Sequence, residues 1–342
     1  MNGIFSIIRG NPKALVGVSL IFMFIIAAVF APFLSKYDPQ KRTGNPHEYP
    51  AAVVKIAQAN PDGWVAENLA DNPRRLRISK DAEHVMGTTR LGRDIWSQVV
   101  HGARTSLFVG FTAGIFVCVV ATIMGISAGY FGGRVDNVLS GAMNVMLVMP
   151  QLPIVMVVAA FVGQAGPLTI ALVIALTSWA WGARVIRSQT LAIREKEFVK
   201  AAEVLGESRP RILFVEILPN LIPLVGASFI GSVMYAILTE SVLSFIGMGS
   251  PNAVSWGSML YNVRTSSAMQ LGIWWEVLAP CLALSLLSFA LALVNFAVDE
   301  IANPQLRAQK GLKRWKKVQQ EEKKAREQAD VAPQTTVLSG EK

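Results

Sequence analysis

Apolar residues gather into six long runs, at 14–34, 107–130, 135–162, from 168 to at least 181, 221–245 and 274–298. Each polar interval between them is rich in charge, glycine or proline. A run of about 20 apolar residues is what an α-helix needs to cross a bilayer, so the pattern predicts an all-α polytopic membrane protein. Arg9 and Lys13 precede the first run, as in a secretory leader. A leader's apolar core is only about 7–15 residues, and this run is longer, so it reads as a retained first span with residues 1–13 in the cytoplasm.

Composition agrees. Only 16% of the 342 residues are charged and 52% are hydrophobic, with a mean hydropathy of +0.42; a soluble domain carries about 25% charge. The net charge of +9 bears on topology and lipid headgroups before nucleic acid. Cys118 and Cys281 fall inside apolar runs and read as small packing residues. His47, His84 and His101 lack metal-ligand spacing.

Segment 35–100 is polar and punctuated by prolines at 39, 46, 50, 61 and 73, which suits an extracytoplasmic loop with structure of its own. In the second run Gly110, Gly114, Gly125 and Gly129 lie within about 100° of one another on a helix. Glycines so arranged let helices approach closely in lipid. Pro150 and Pro153 interrupt the third run, predicting a kink or a local unwinding that either lines a substrate path or only packs. Arg184, Arg187, Arg194 and Lys196 close the fourth run and mark the cytoplasmic side.

Between the fourth and fifth runs lies EFVKAAEVLGESRPRILFVEILPN, residues 197–220. It is longer than a connection requires. Ala201-Ala202, Gly206 and Leu218-Pro219 resemble the coupling loop of ABC importer permeases, in which a short cytoplasmic helix docks on an ATPase subunit. Lys200 and Glu216 depart from that pattern. Two further stretches resemble the dipeptide, oligopeptide and nickel branch of that family. HVMGTTRLGRDIWSQVVHGARTSL precedes the second run, with Gly87-Thr88, Gly92-Arg93-Asp94 and Gly102-Ala103-Arg104 matching. Glu240, Leu243, Ser244, Phe245, Gly247, Gly249, Trp256 and Gly257 match the second motif.

The resemblance implies a type I ABC importer permease fold of six transmembrane helices with both termini cytoplasmic, and the second (C-type) subunit of such a system. It divides the chain into 1–13, a span at 14–34, a loop at 35–100, a permease core at 101–300 with its coupling loop at 197–219, and a basic tail at 301–342. It implies a heterodimer with a homologous permease, two ATPase subunits that bind ATP and Mg, and an extracytoplasmic solute-binding protein, in a bacterial or archaeal plasma membrane. Lys200, Ala201, Ala202, Gly206, Leu218 and Pro219 would contact or shape the ATPase junction. Glu240, Ser244, Phe245, Pro150 and Pro153 are candidates for the pore or gate, although Glu240 reads equally as a solvated interfacial carboxylate. Trp256, Trp274 and Trp275 would form an interfacial belt. Peptides are the expected cargo, with oligosaccharides or nickel chelates as alternatives.

The sequence contains no G-x-x-x-x-G-K-[ST] phosphate loop and no catalytic constellation, so a non-catalytic subunit without a cofactor of its own is expected. A self-contained secondary transporter is the alternative of another class, and the coupling loop argues against it.

Overall fold

The computed structural model describes residues 12–70, 83–163, 166–250, 252–302 and 319–320, and all its regular elements are helices. Five are long and apolar enough to cross a membrane, and the bent pair Gly133–Val148 and Gln151–Val162, taken as one span, would be a sixth. In chain order the main ones are α1 (Pro12–Val29), α2 (Ile95–Phe131), α3 (Gly133–Val148), α4 (Gln151–Val162), α5 (Pro167–Arg194), α6 (Glu197–Val204), α7 (Leu218–Ile246), α8 (Trp256–Thr265) and α9 (Trp274–Ala302). Helices Ala51–Ala59 and Trp64–Ala70 lie in the loop before α2. The tail beyond 302, including its basic run 307–326, lies outside the described residues except for 319–320.

The second span starts earlier than its apolar run. Asp94 caps α2, its Oδ2 accepting from the Ser97 N–H and hydroxyl at 2.7 Å each. With 37 residues, α2 is about 55 Å long, well beyond a hydrocarbon core of about 30 Å. It is the central mast, and its glycines set its neighbours. A Cβ on Gly110 or Gly114 would strike Ile237 or Val233 of α7 at 2.3 and 2.5 Å. One on Gly125 or Gly129 would strike Ala183 O or Thr190 Cβ of α5, at 2.6 Å each. The four glycines therefore admit two different helices, one on each half of the mast.

The third run is broken at its prolines. Its two halves, α3 and α4, meet at 91°. The residue before a proline is driven to extended backbone, and Met149 has ψ 135° ahead of Pro150. Pro153 sits in the first turn of α4, where its missing N–H is harmless. Both prolines are solvent-accessible in this chain.

The loop before α2 folds onto one end of the bundle as a cap. Thr43 and Gly44 donate backbone N–H groups to Gly92 O, and Thr88 Oγ1 bridges Asn45 O and Glu48 N. His84 donates from Nδ1 to Asp94 at 2.9 Å, with Glu48 Oε2 3.7 Å from its other nitrogen. The Asp94 hydrogen bond raises the His84 pKa above its ordinary 6.5 against the effect of burial. Burial would raise Asp94, but His84 and Ser97 more than offset it and hold that carboxyl below its usual range.

Candidate functional site

Two regions at opposite ends of the bundle collect the sequence motifs. At the end away from the cap, α6 is a two-turn helix that closes as a Schellman motif. The Glu207 N–H donates to Ala202 O and the Gly206 N–H to Glu203 O, both at 3.1 Å, with Gly206 at φ +77°. Nothing lies within 4 Å of a Cβ built on Gly206. The glycine is thus needed for its backbone conformation and not to clear space.

The apolar residues of α6 are only partly covered by the bundle, and Glu197, Lys200 and Glu203 are exposed beside them. Val199 and Ala202 point inward, 0% and 8% exposed, and pack with Ile212, Ile217 and Leu221. Ala201, Phe198, Val204 and Leu205 lie on the open side, the last two 88% and 81% exposed. Of the two alanines expected at the ATPase junction, Ala201 is exposed and Ala202 is part of the chain's own core. Lys200 is exposed and pairs with Glu195 at 2.8 Å; such a surface pair adds little stability.

The chain returns to α7 through a π-helical turn, Ile212–Ile217. The Pro219 ring would clash with the carbonyl of Val215 in a regular α-helix, and the wider turn relieves it. Leu218 is half-buried and Pro219 lies on the exposed side. Beside this junction Asp136 of α3 receives a two-pronged hydrogen bond from Arg187 of α5 at 2.5 and 2.6 Å, and a third from Ser140. Sequence reading missed this clamp. Its one sign was an acid in the first turn after the Gly132-Gly133 corner.

At the cap end, α7 terminates on Gly247 at φ +100°. Glu240 is 2% exposed inside the bundle, not at a wet interface. Its Oε1 accepts from Ser244 Oγ at 2.7 Å, while Ser106, Ser241 and Ser255 stand around the same carboxyl. No ion pair to Glu240 occurs among the described residues. The solvated-carboxylate reading is therefore overturned. Burying a carboxyl requires hydrogen-bonding partners, and four serines from α2, α7 and the start of α8 are grouped around it.

The glycines of this motif are contact points. A Cβ on Gly249 or Gly257 would strike Ser244 Oγ at 2.3 Å or Ser241 Cα at 2.6 Å. Trp256 is fully buried, donates to Val99 O at 2.9 Å, and lies against Gly102, so the two cap-end motifs meet. Trp275 is buried as well, which leaves Trp274 the one exposed member of the expected belt. Phe245 is partly exposed, with the Arg264 guanidinium 5.2 Å above its ring. Ser244 is buried on the wall of a cavity beside it.

A broken-span bundle with a partly covered helix at one end and a capped serine–glutamate hub at the other has the layout of a transport subunit. The chain belongs to the family of binding-protein-dependent transport system inner membrane components, which matches residues 121–308. Residues 4–50 match a second family, the N-terminal transmembrane domain of oligopeptide transport permease C. A putative peptide transport system permease protein of Brucella suis is 30% identical over 299 residues, covering 86% of this chain and 88% of the relative. The dipeptide transport system permease of Bacillus subtilis is 30% identical, covering 88% and 84%. The oligopeptide transport system permease of the same organism is also 30% identical, covering 87% and 88%.

Proposed function

We propose that this chain forms half of the translocation path of an ATP-driven, binding-protein-dependent importer of di- or oligopeptides. The observation that carries the reading is the double-sided α6. Its inner face locks into the bundle through Val199 and Ala202, while Val204 and Leu205 stand uncovered beside it. Exposed apolar side chains grouped beside a charged loop mark a protein interaction surface. The peptide cargo rests on the names of the relatives.

In this reading the α6 end is cytoplasmic, as are both termini, and the cap faces outward in a bacterial or archaeal inner membrane. A homologous permease completes the pore. Two ATPase subunits bind ATP and Mg, and a solute-binding protein delivers cargo to the cap side. This chain binds no nucleotide and carries out no covalent chemistry. ATP-driven closure of the ATPase pair displaces α6. Because α6 packs on α5, the π-turn and the start of α7, its motion becomes rocking of these helices. The Asp136–Arg187 clamp carries α3 along, and the right-angled break at Pro150 and Pro153 lets α4 move separately. Glu240 and Ser244 hold the cap end of α7 against α8 as the scaffold beside the gate, with Phe245 at its edge.

The test is Leu205→Asp. Leu205 leaves the bundle's packing untouched, so membrane insertion and thermal stability should match wild type. Burial of one leucine contributes about 1.5–3 kcal/mol, so affinity for the ATPase subunits should fall about tenfold or more and uptake with it. Unchanged ATPase binding would remove α6 from the junction.

A further inference from the structure

The Gly92-Arg93-Asp94 motif holds one side chain that the fold does not use. Gly92 lies at φ +70°, where a Cβ would strike Gly44 O at 2.3 Å, and Asp94 caps α2. Arg93 contributes only backbone: its N–H donates to Thr89 Oγ1 at 3.2 Å and its carbonyl accepts from the Thr89 N–H at 2.9 Å. Its half-buried guanidinium forms no hydrogen bond or ion pair among the described residues.

That guanidinium stands on a wall common to two adjoining cavities of about 360 and 300 Å³. The larger has no carboxylate on its wall; amides and hydroxyls, among them Asn262, Ser258 and Tyr261, line it. The smaller includes Arg90 and Glu276, whose shielded carboxylate lies 3.8 Å from His47 Nδ1. Gln98, on the larger cavity's wall, is 2% exposed; its Nε2 donates to Pro39 O and its Oε1 accepts nothing. The larger cavity's wall thus offers a forked cation without an anion. A guanidinium fork matches a carboxylate with two parallel hydrogen bonds. The cavity size is that of a small-ligand site.

We propose that the larger cavity is a subsite for the C-terminal residue of a peptide, with Arg93 holding the terminal carboxylate. The assignment rests on the peptide reading above. It gives the cap side a preference for free acids over amidated or internally linked chains. Among the described residues Arg93 is the one charged residue on the larger cavity's wall, which explains that preference, because a ligand amide would leave the guanidinium without its counter-charge.

The experiment uses the permease pair with its ATPase subunits in nanodiscs, without the binding protein, and trialanine or its C-terminal amide as probe. Saturation-transfer NMR should show the amide bound about tenfold more weakly than the acid, the size of a charged hydrogen-bond pair. Arg93→Gln should weaken the acid by the same factor and leave the amide unchanged, while Arg93→Lys, which keeps charge without the fork, should fall between. Both variants retain the backbone turn, so unaltered melting is expected. Equal binding of acid and amide, or no effect of Arg93→Gln, overturns the proposal. So does a variant that binds trialanine normally but loses stimulation by the loaded binding protein, which would make Arg93 a docking contact. Parallel uptake assays separate the two readings: peptides carried without an amidation effect sink only the Arg93 subsite, whereas no peptide carried sinks the peptide reading.

Discussion

At Gly206 and Ala202 the same loop imposes two different constraints. Gly206 has open space around it and a left-handed backbone, so Gly206→Val should cost about 1–2 kcal/mol through strain alone. Gly206→Asn should cost less, because asparagine tolerates that conformation. Ala202 has ordinary backbone and no room. Ala202→Trp should destabilise the chain by about 1–3 kcal/mol through overpacking, visible as a lower melting temperature before any partner is added. Glu240 is a third case: Glu240→Ala would leave a void and strand the Ser244 hydroxyl, costing about 2–4 kcal/mol. Glu240→Gln keeps the volume and a hydrogen-bonding head, and should melt close to wild type. An equal loss for both would mean that charge, not the filled hydrogen-bonded space, holds the hub. The positive φ at Gly206 was legible because one residue type and its place after a helix suffice to predict it. The inward turn of Ala202 was not, since the apolar arc of α6 is wider than the part the bundle covers and its sequence cannot say which part that is. Nor was the burial of Glu240, whose shell includes Ser106 and Ser255 from other elements.

Among the elements, the long helices were legible wherever composition alone decides, and their ends where a capping residue marks them. The start of α2 is an exception: Asp94 and Ser97 are polar, so the hydropathy pattern placed the segment in the loop although Asp94 is a good N-cap. The prolines of the third run announced a disturbance, but a right-angle break and a kink share one sequence signature. The cap carries a pH prediction. The His84 pKa is raised in the folded chain, so its contribution is fully present below about 6.5 and lost as pH rises through the higher folded value. Asp94 is depressed, so its contribution is present above about 3.9 and lost as pH falls through the lower folded value. Amide protection around residues 84–94, taken relative to the intrinsic exchange rate at each pH, should therefore be greatest between those limits and decline on both the alkaline and the acid side. His84→Gln should abolish the alkaline change while leaving the acid one. A profile unaltered by that substitution would remove the His84–Asp94 pair from the cap's stability.

For the molecule as a whole, the bundle separates two kinds of surface. One end is a folded cap joined to the hub by Trp256 and by Gln40, which donates to Asn252 O at 3.1 Å. The other is an apolar helix with one face uncovered, and the mast α2 runs between them. A transporter that worked alone would have little use for the uncovered α6. The most direct measurement is accumulation of a labelled dipeptide in proteoliposomes holding the full complex, with ATP on the α6 side and loaded binding protein on the cap side. The account predicts uptake against a gradient that stops when the ATPase subunits, ATP or the binding protein is withheld. Concentrative uptake by the permease pair without ATPase subunits, driven by an ion gradient, would contradict it.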